Sequence, residues 1–190
     1  MNHKMLALLP LALCTAFGSV AVAADTEITF KGEVIENTCT PTVNGSGTGT
    51  VTLPPIFANH LSGGVGATGG AKTFTINLAG CGTSVSGYTT KAYFYQANAQ
   101  GGRLSKNAAD PGTGQGWQYE ILNAAGDKKV EVGTSATINP ANNIDDTGVF
   151  IPATGGNAQL TYTVRYYRHT AAPLQPGALD ATATYVLFTS

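Results

Sequence analysis

Apolar residues in this chain recur at every second position in a series of short windows, and no window of useful length shows the 3.6-residue spacing of a helix. The first window, Ala24 to Cys39 (ADTEITFKGEVIENTC), sets Thr26, Ile28, Phe30, Gly32 and Val34 on one face and Asp25, Glu27, Thr29, Lys31 and Glu33 on the other. This pattern predicts a strand with one face suited to burial. Further strands are predicted at Thr50–Leu53, ended by Pro54-Pro55, and at Lys72–Cys81, where Phe74, Ile76 and Leu78 oppose Thr73, Thr75 and Asn77. Thr89–Gln96 follows, then Trp117–Ile121, with Trp117, Tyr119 and Ile121 against Gln118 and Glu120. A turn at Asn123–Asp127 leads from it to Lys129–Val132, which makes a hairpin. Leu160–His169 directs Leu160, Tyr162, Val164 and Tyr166 inward, and Ala181–Phe188 carries Ala183, Tyr185 and Leu187 on one face and Thr184, Val186 and Phe188 on the other.

The intervening segments are turn chemistry. Pro41–Gly49 reads as turn throughout, with Asn44-Gly45 as a hairpin turn that also explains the formal glycosylation sequon Asn44-Gly45-Ser46. Leu61–Gly70 is a glycine-rich connection, not a phosphate loop, since it has no Gly-Lys-Ser/Thr ending and no helix after it. Gln100–Gly116 is a long polar loop, and Asn139–Gly156 is again turn-rich. Seven or eight short strands divided by such turns predict an all-β sandwich.

The start of the chain bears on compartment. Lys4 is the only charge before Asp25, Met5–Val22 is apolar and small, and Ala21-Val22-Ala23 offers a cleavage site. Residues 1–23 therefore read as an export signal cut after Ala23 or Ala24. Gly18, Ser19 and the alanines make the stretch too weak for a membrane anchor. Cys14, which follows the bulky Leu13, is not a lipoprotein cysteine and leaves with the signal. Of the remaining chain, residues 24–37 form the N-terminal strand segment and 38–190 a single domain large enough for its own core.

Loss of Lys4 takes the formal charge from −1 to −2, which gives no electrostatic case for binding nucleic acid or an anionic membrane. Charged residues make up 11% of the chain, against about 25% ordinarily, as suits a surface packed against neighbours. Two cysteines remain, Cys39 and Cys81, and an even pair in an oxidising compartment predicts one disulfide. In the chain-entropy model its loop contributes roughly 4 kcal/mol.

Reactive chemistry is sparse. His60 lies in a loop and His169 at a strand end, and nothing in the sequence draws either to a serine and an aspartate. No Cys/His cluster has metal spacing, so neither metal nor cofactor is expected. Asp146-Thr147-Gly148 occurs once, after Asp145 and within an Asn/Gly-rich loop, unlike the facing pair of an aspartic protease. The chain is not expected to be an enzyme.

In combination, the export signal, the alternating segment ending in Lys31-Gly32-Glu33-Val34-Ile35 and Cys39, the second cysteine after Thr73-Phe74-Thr75-Ile76-Asn77-Leu78, and the alternating last strand resemble the subunits of chaperone–usher fimbriae, type 1 major pilins above all. The resemblance implies an incomplete immunoglobulin-like β-sandwich whose hydrophobic groove is completed by a donor strand from another subunit. Donor-strand complementation of pilins is a known form of β-augmentation. Carried over by position, Thr26, Ile28, Phe30 and Val34 are the groove-filling face and Gly32 the position with no room for a side chain. Gly177, Ala183, Tyr185 and Leu187 belong to the chaperone-facing last strand, with Gly177 matching the family's glycine fourteenth from the end. Thr189 stands where the family has an aromatic residue, with Phe188 one place earlier.

The implied partners are other copies of the chain, a periplasmic chaperone, an outer-membrane usher and, through a separate tip adhesin, a host receptor. The implied destination is the cell surface, reached through the periplasm. Three alternatives remain: an ordinary first strand of a complete sandwich; a minor adaptor or terminating subunit; and a secreted carbohydrate-binding module using Trp117, Tyr88 and Phe57.

Overall fold

The chain divides into two units, Met1–Gly32 and Glu33–Ser190, and the computed structural model describes residues 39–44, 49–135 and 146–190, all in the second. The expected export signal and the strand segment 24–37 lie outside the described residues. Eight strands are described: β1 Thr40–Val43, β2 Thr68–Cys81, β3 Tyr88–Tyr95, β4 Trp117–Leu122, β5 Lys129–Val130, β6 Val149–Ile151, β7 Gly156–Arg168 and β8 Thr184–Thr189. They form two antiparallel sheets, β1-β2-β7-β4-β5 and β6-β3-β8.

The inner faces follow the alternation. Phe74, Ile76 and Leu78 of β2 and Leu160, Tyr162 and Val164 of β7 are buried, against Ala92 and Phe94 of β3 and Ile151 of β6. Outward partners on β2 and β7 meet across the strands, as Thr73 with Thr163 and Asn77 with Gln159. The Asn123–Asp127 turn closes the β4–β5 hairpin through backbone bonds between Asn123 and Lys128 and between Gly126 and Asn123, although pairing stops at Val130.

Four sequence expectations are corrected. Pro41–Gly49 is not turn throughout: Thr40–Val43 pairs with β2, and Pro41 is tolerated because β1 is an edge strand whose outer side needs no donor. Asn44 then takes the left-handed φ of 48° and extends the contact with β2, donating its N–H to Thr75 O and accepting the Thr75 N–H on Oδ1. Thr50–Leu53 is extended with Val51 and Leu53 packed on the core, yet it pairs with no strand among the described residues. The glycine-rich connection ends early, since β2 begins at Thr68. A bulge between Gly69 and Lys72 places Gly70 at φ 60°, where a Cβ would stand 2.6 Å from the Tyr166 ring. Finally, Val149–Ile151 in the turn-rich segment is a short edge strand on β3.

Strand β4 is covered on both sides, which its alternation did not reveal. Glu120, expected outward, is 2% exposed. Its carboxylate accepts forked bonds from Arg103 at 2.6–2.9 Å and from Arg165 at 2.6–2.8 Å. Arg103 in turn lies 3.5 Å over the Tyr167 ring. A buried carboxylate survives here because two guanidinium groups occupy its lone pairs.

One polar bridge joins the sheets through the core. The Tyr162 hydroxyl accepts the Ala92 N–H at 3.1 Å and donates to Asp146 Oδ2 at 2.8 Å, while Gly148 N–H caps Oδ1 at 3.0 Å. Asp146 of the Asp-Thr-Gly tripeptide is thus a buried acceptor committed to the core. Burial, and then the Asp146 charge, push the Tyr162 hydroxyl far above its ordinary range, so it stays a donor at every physiological pH. Replacing Tyr162 by Phe orphans Asp146 Oδ2 and the Ala92 N–H and should cost about 1–3 kcal/mol. Urea denaturation of the full chain checks this, and a loss below about 0.5 kcal/mol, ordinary for a surface substitution, would contradict the bridging role.

Candidate functional site

The last strand leaves one side of the small sheet open. Strand β8 pairs with β3 from Thr184↔Tyr95 to Thr189↔Thr90, and Ser190 and Thr89 exchange two further backbone bonds at 2.9 Å. On its other edge no strand pairs with it among the described residues. Across from it, among the described residues, β1 pairs only with β2 and the extended residues 50–53 pair with no strand. Among the described residues, two edges of the sandwich therefore present unpaired backbone donors and acceptors.

The side chains beneath these edges are apolar and half-buried. Ala183, Tyr185 and Leu187 face the core from the β8 side, and Val43, Val51 and Leu53 from the other. The register answers the question raised by Thr189. It lies on the core-facing side with Tyr185 and Leu187, while Phe188 points the opposite way opposite Lys91, so the aromatic does not take the place of Thr189 by a slip of one residue.

A cleft of about 390 Å³ opens where the two edges diverge, with residues 50–56 as one wall and 174–180 as the other. Its floor is Trp117, Tyr119 and Tyr166, with ring centroids 5.0–5.5 Å apart. Burial raises the Tyr119 hydroxyl above its ordinary range, with Tyr166 and the Asp180 and Asp110 carboxylates adding to the effect. Burial also raises Tyr166 and Tyr185. These hydroxyls are donors, not bases, and Tyr119 spends its proton on Leu179 O at 2.7 Å.

Both walls are tied down. Arg168 donates to Leu61 O on one side and to the Thr170, Ala171 and Ala172 carbonyls on the other, so a single guanidinium spans the connections that feed the walls. The segment before β8 is latched to the 107–115 loop. Asp110 accepts the Gly112 and Asp180 N–H groups at 2.8 Å each, Asn107 binds Thr182 through both side-chain atoms, and Gln115 and Gln175 pair backbone to backbone. Gly177 sits inside this latch at φ 152°, where a Cβ would stand 2.6 Å from Gly114 N.

At the far end of the sandwich Cys39 and Cys81 form a disulfide, fixing the chain just before β1 to the last residue of β2. Tyr88 is buried beside it, 3.9 Å from Cys39 Sγ. Of the three aromatics considered for carbohydrate, Tyr88 is thus at the disulfide end, Trp117 floors the cleft and Phe57 is exposed at the cleft end. They form no common platform.

The structure brings Gly177, Ala183, Tyr185 and Leu187 onto one wall and edge, and joins Cys39 to Cys81. Thr26, Ile28, Phe30, Gly32 and Val34 lie outside the described residues. Sequence reading missed Val51 and Leu53 as the facing wall, although their alternation was visible. It also missed the Asp110 latch, whose one signal is the turn sequence Asp110-Pro111-Gly112.

Comparison with known proteins agrees with this geometry. Residues 28–188 match the model of the fimbrial protein family. The F17 fimbrial protein of Escherichia coli is 31% identical over 180 residues, covering 92% of this chain and 93% of its own length. The major fimbrial subunit SMF-1 of Stenotrophomonas maltophilia (strain K279a) is 31% identical over 184 residues, covering 96% and 98%. The crystal structure of the P pilus rod subunit PapA shares the fold, with a TM-score of 0.55 at 18% identity over 80% of this chain and 99% of that one.

The latch should respond to acid. Hydrogen bonds from Asp180 and then Gly112, with Lys106 nearby, lower the Asp110 carboxyl below its ordinary 3.8. A depressed value means that the contribution is complete above the ordinary pH and is lost as pH falls through the lower, folded one. The Asp180 and Gly112 amide resonances should therefore move with a midpoint below pH 3.8. In Asp110→Asn that transition should vanish, and a midpoint above 3.8 would contradict the assignment.

Proposed function

Since the chain belongs to the fimbrial protein family, we propose that it polymerises by donor-strand exchange, with residues 24–37 of one copy entering the open groove of another. It is a structural pilin of a fimbrial shaft at the cell surface, with an incomplete immunoglobulin-like fold. The observation that carries the mechanism is the β8 edge, unpaired among the described residues, with Ala183, Tyr185 and Leu187 half-buried beneath it. A strand laid between β8 and residues 50–53 would satisfy both open edges and cover those side chains.

Residues 24–37 have the chemistry for that position. Ile28, Phe30 and Val34, with Thr26, line one face, and burying Ile28 and Phe30 would yield about 1.5–3 kcal/mol each. Gly32 would sit where the groove admits only backbone. Because the completing strand comes from another copy, stability and assembly become one equilibrium.

The remaining roles follow from the same edge. A periplasmic chaperone would cover it during export by lending a strand, with Gly177, Ala183, Tyr185 and Leu187 in the chaperone-facing segment. An outer-membrane usher would receive the covered subunit, and host binding would belong to a separate tip adhesin. The contribution of this chain is mechanical and not catalytic.

Substituting Phe30 or Ile28 by Asp in the full chain should abolish polymers in size-exclusion chromatography and negative-stain microscopy. Thr29→Asp, on the opposite face, should leave them intact. Polymers that persist in Phe30→Asp and Ile28→Asp at the level of the unsubstituted chain would refute the proposal.

A further inference from the structure

The two walls of the cleft have little with which to hold each other. Pro54 and Pro55 in one, and Pro173 and Pro176 at the root and middle of the other, carry no N–H for a ladder. Among the described residues no hydrogen bond runs directly between residues 50–62 and residues 169–183. Val51, Leu53 and Ile56 instead face Leu174, Ala178 and Leu179 across the aromatic floor. Apolar surfaces facing each other over an open cleft close on one another unless something fixes their separation.

Arg168 is placed to fix it. It ends β7, paired with Trp117 of β4 on one side. On the other its N–H donates to Ala67 O at 2.8 Å and its carbonyl accepts the Gly66 N–H at 2.9 Å. The side chain therefore stands on a fixed root beside the floor, and its guanidinium donates in two directions. Nη1 reaches Leu61 O at 3.0 Å, at the end of the short turn Ala58–Leu61 that follows the 50–56 wall. Nε reaches Thr170 O at 2.9 Å, and Nη2 reaches Ala171 O at 3.3 Å and Ala172 O at 3.1 Å, in the segment that leads into the 174–180 wall.

These partners are all carbonyl oxygens. The other two arginines among the described residues, Arg103 and Arg165, are paired with the Glu120 carboxylate. Arg168 is used for its shape: a planar fork whose five N–H groups point in fixed directions. Such a fork can hold four acceptors on two separate segments at set distances. The single nitrogen of a lysine cannot.

We infer that Arg168 is the positioning residue for strand capture, holding the cleft walls at the separation that keeps the end of the groove open. The inference rests on the donor-strand reading and adds the residue that governs entry. Arg168 does not itself line the cleft; it acts through Leu61 and residues 170–172. Without the fork the apolar walls close over Trp117, and a groove open for only about a tenth of the time captures strands about ten times more slowly.

The floor carries its own reporter, since Trp117 is the one tryptophan of the chain. Arg168→Met keeps the stem and removes the fork, while Arg168→Lys keeps the charge alone. Both are compared with the unsubstituted full chain by acrylamide quenching of Trp117 before assembly, by urea unfolding and by the rate of polymer growth in light scattering. Tyr162→Phe, which weakens the core away from the walls, calibrates what lost stability alone does to growth. In both Arg168 variants quenching should fall about twofold or more and growth should slow about tenfold, beyond the slowing that Tyr162→Phe shows for an equal or larger drop in urea midpoint. Should Arg168→Met fail to fold, Arg168→Lys decides alone. Unchanged quenching, slowing no greater than lost stability explains, or a full rate in Arg168→Lys would each overturn the inference while leaving donor-strand exchange standing. If the unsubstituted chain forms no polymers at all, the donor-strand reading fails and this inference falls with it.

Discussion

A strand edge that has apolar side chains beneath it and, among the described residues, no neighbour to pair with is the constraint on which this structure depends. Each backbone N–H and C=O along β8 must find a partner, and β3 supplies one side only. Left open, such an edge invites indiscriminate pairing. In a pilin the same open valence becomes specific, because one segment with the right alternation completes it and that segment belongs to the next copy. The fold is unfinished as a monomer and complete as a polymer.

The rest of the molecule holds that edge in shape. The disulfide anchors the chain entering β1 to the end of β2, the Tyr162–Asp146 bridge ties the two sheets through the core, and Arg168 and the Asp110 latch secure the walls of the cleft. These groups are polar or covalent and so define distances, whereas apolar packing alone tolerates sliding. A groove meant to accept a foreign strand in one register needs walls that do not collapse onto each other before it arrives. Gly177 serves the same end, since a side chain there would push the wall off the 113–114 backbone.

Much of this was legible in the sequence. Alternation identified β2 and β7 with their inward faces, because a half-buried strand writes its burial into every second residue; it identified β8 as a strand but not its inward face, since apolar residues stand on both sides of it. Cys39 and Cys81 paired as arithmetic required. Strand β1 was hidden by Pro41 and Asn44, residues that signal turns yet are tolerated on an edge. Glu120 looked exposed because only the fold brings Arg103, from the loop before β4, and Arg165, from β7, to one carboxylate. Thr50–Leu53 had the alternation of a strand and lies extended with Val51 and Leu53 inward, but no strand among the described residues pairs with it. Its pattern anticipates a neighbour that the described residues do not supply. Asp146, in a loop sequence that resembled catalytic chemistry, proved to be a core acceptor, a role set by Tyr162 sixteen positions away.

The central claim is that the domain is incomplete without a strand from another copy. Thermal unfolding of the domain Thr38–Ser190, disulfide intact, with and without a synthetic peptide spanning Ala24–Asn37, tests it most directly. The account predicts that a peptide in large excess over its dissociation constant raises the Tm by about 10 °C or more, and that the rise disappears when Ile28 and Phe30 of the peptide become Asp. A domain already stable alone and indifferent to the peptide would be a complete sandwich, and the account would be wrong.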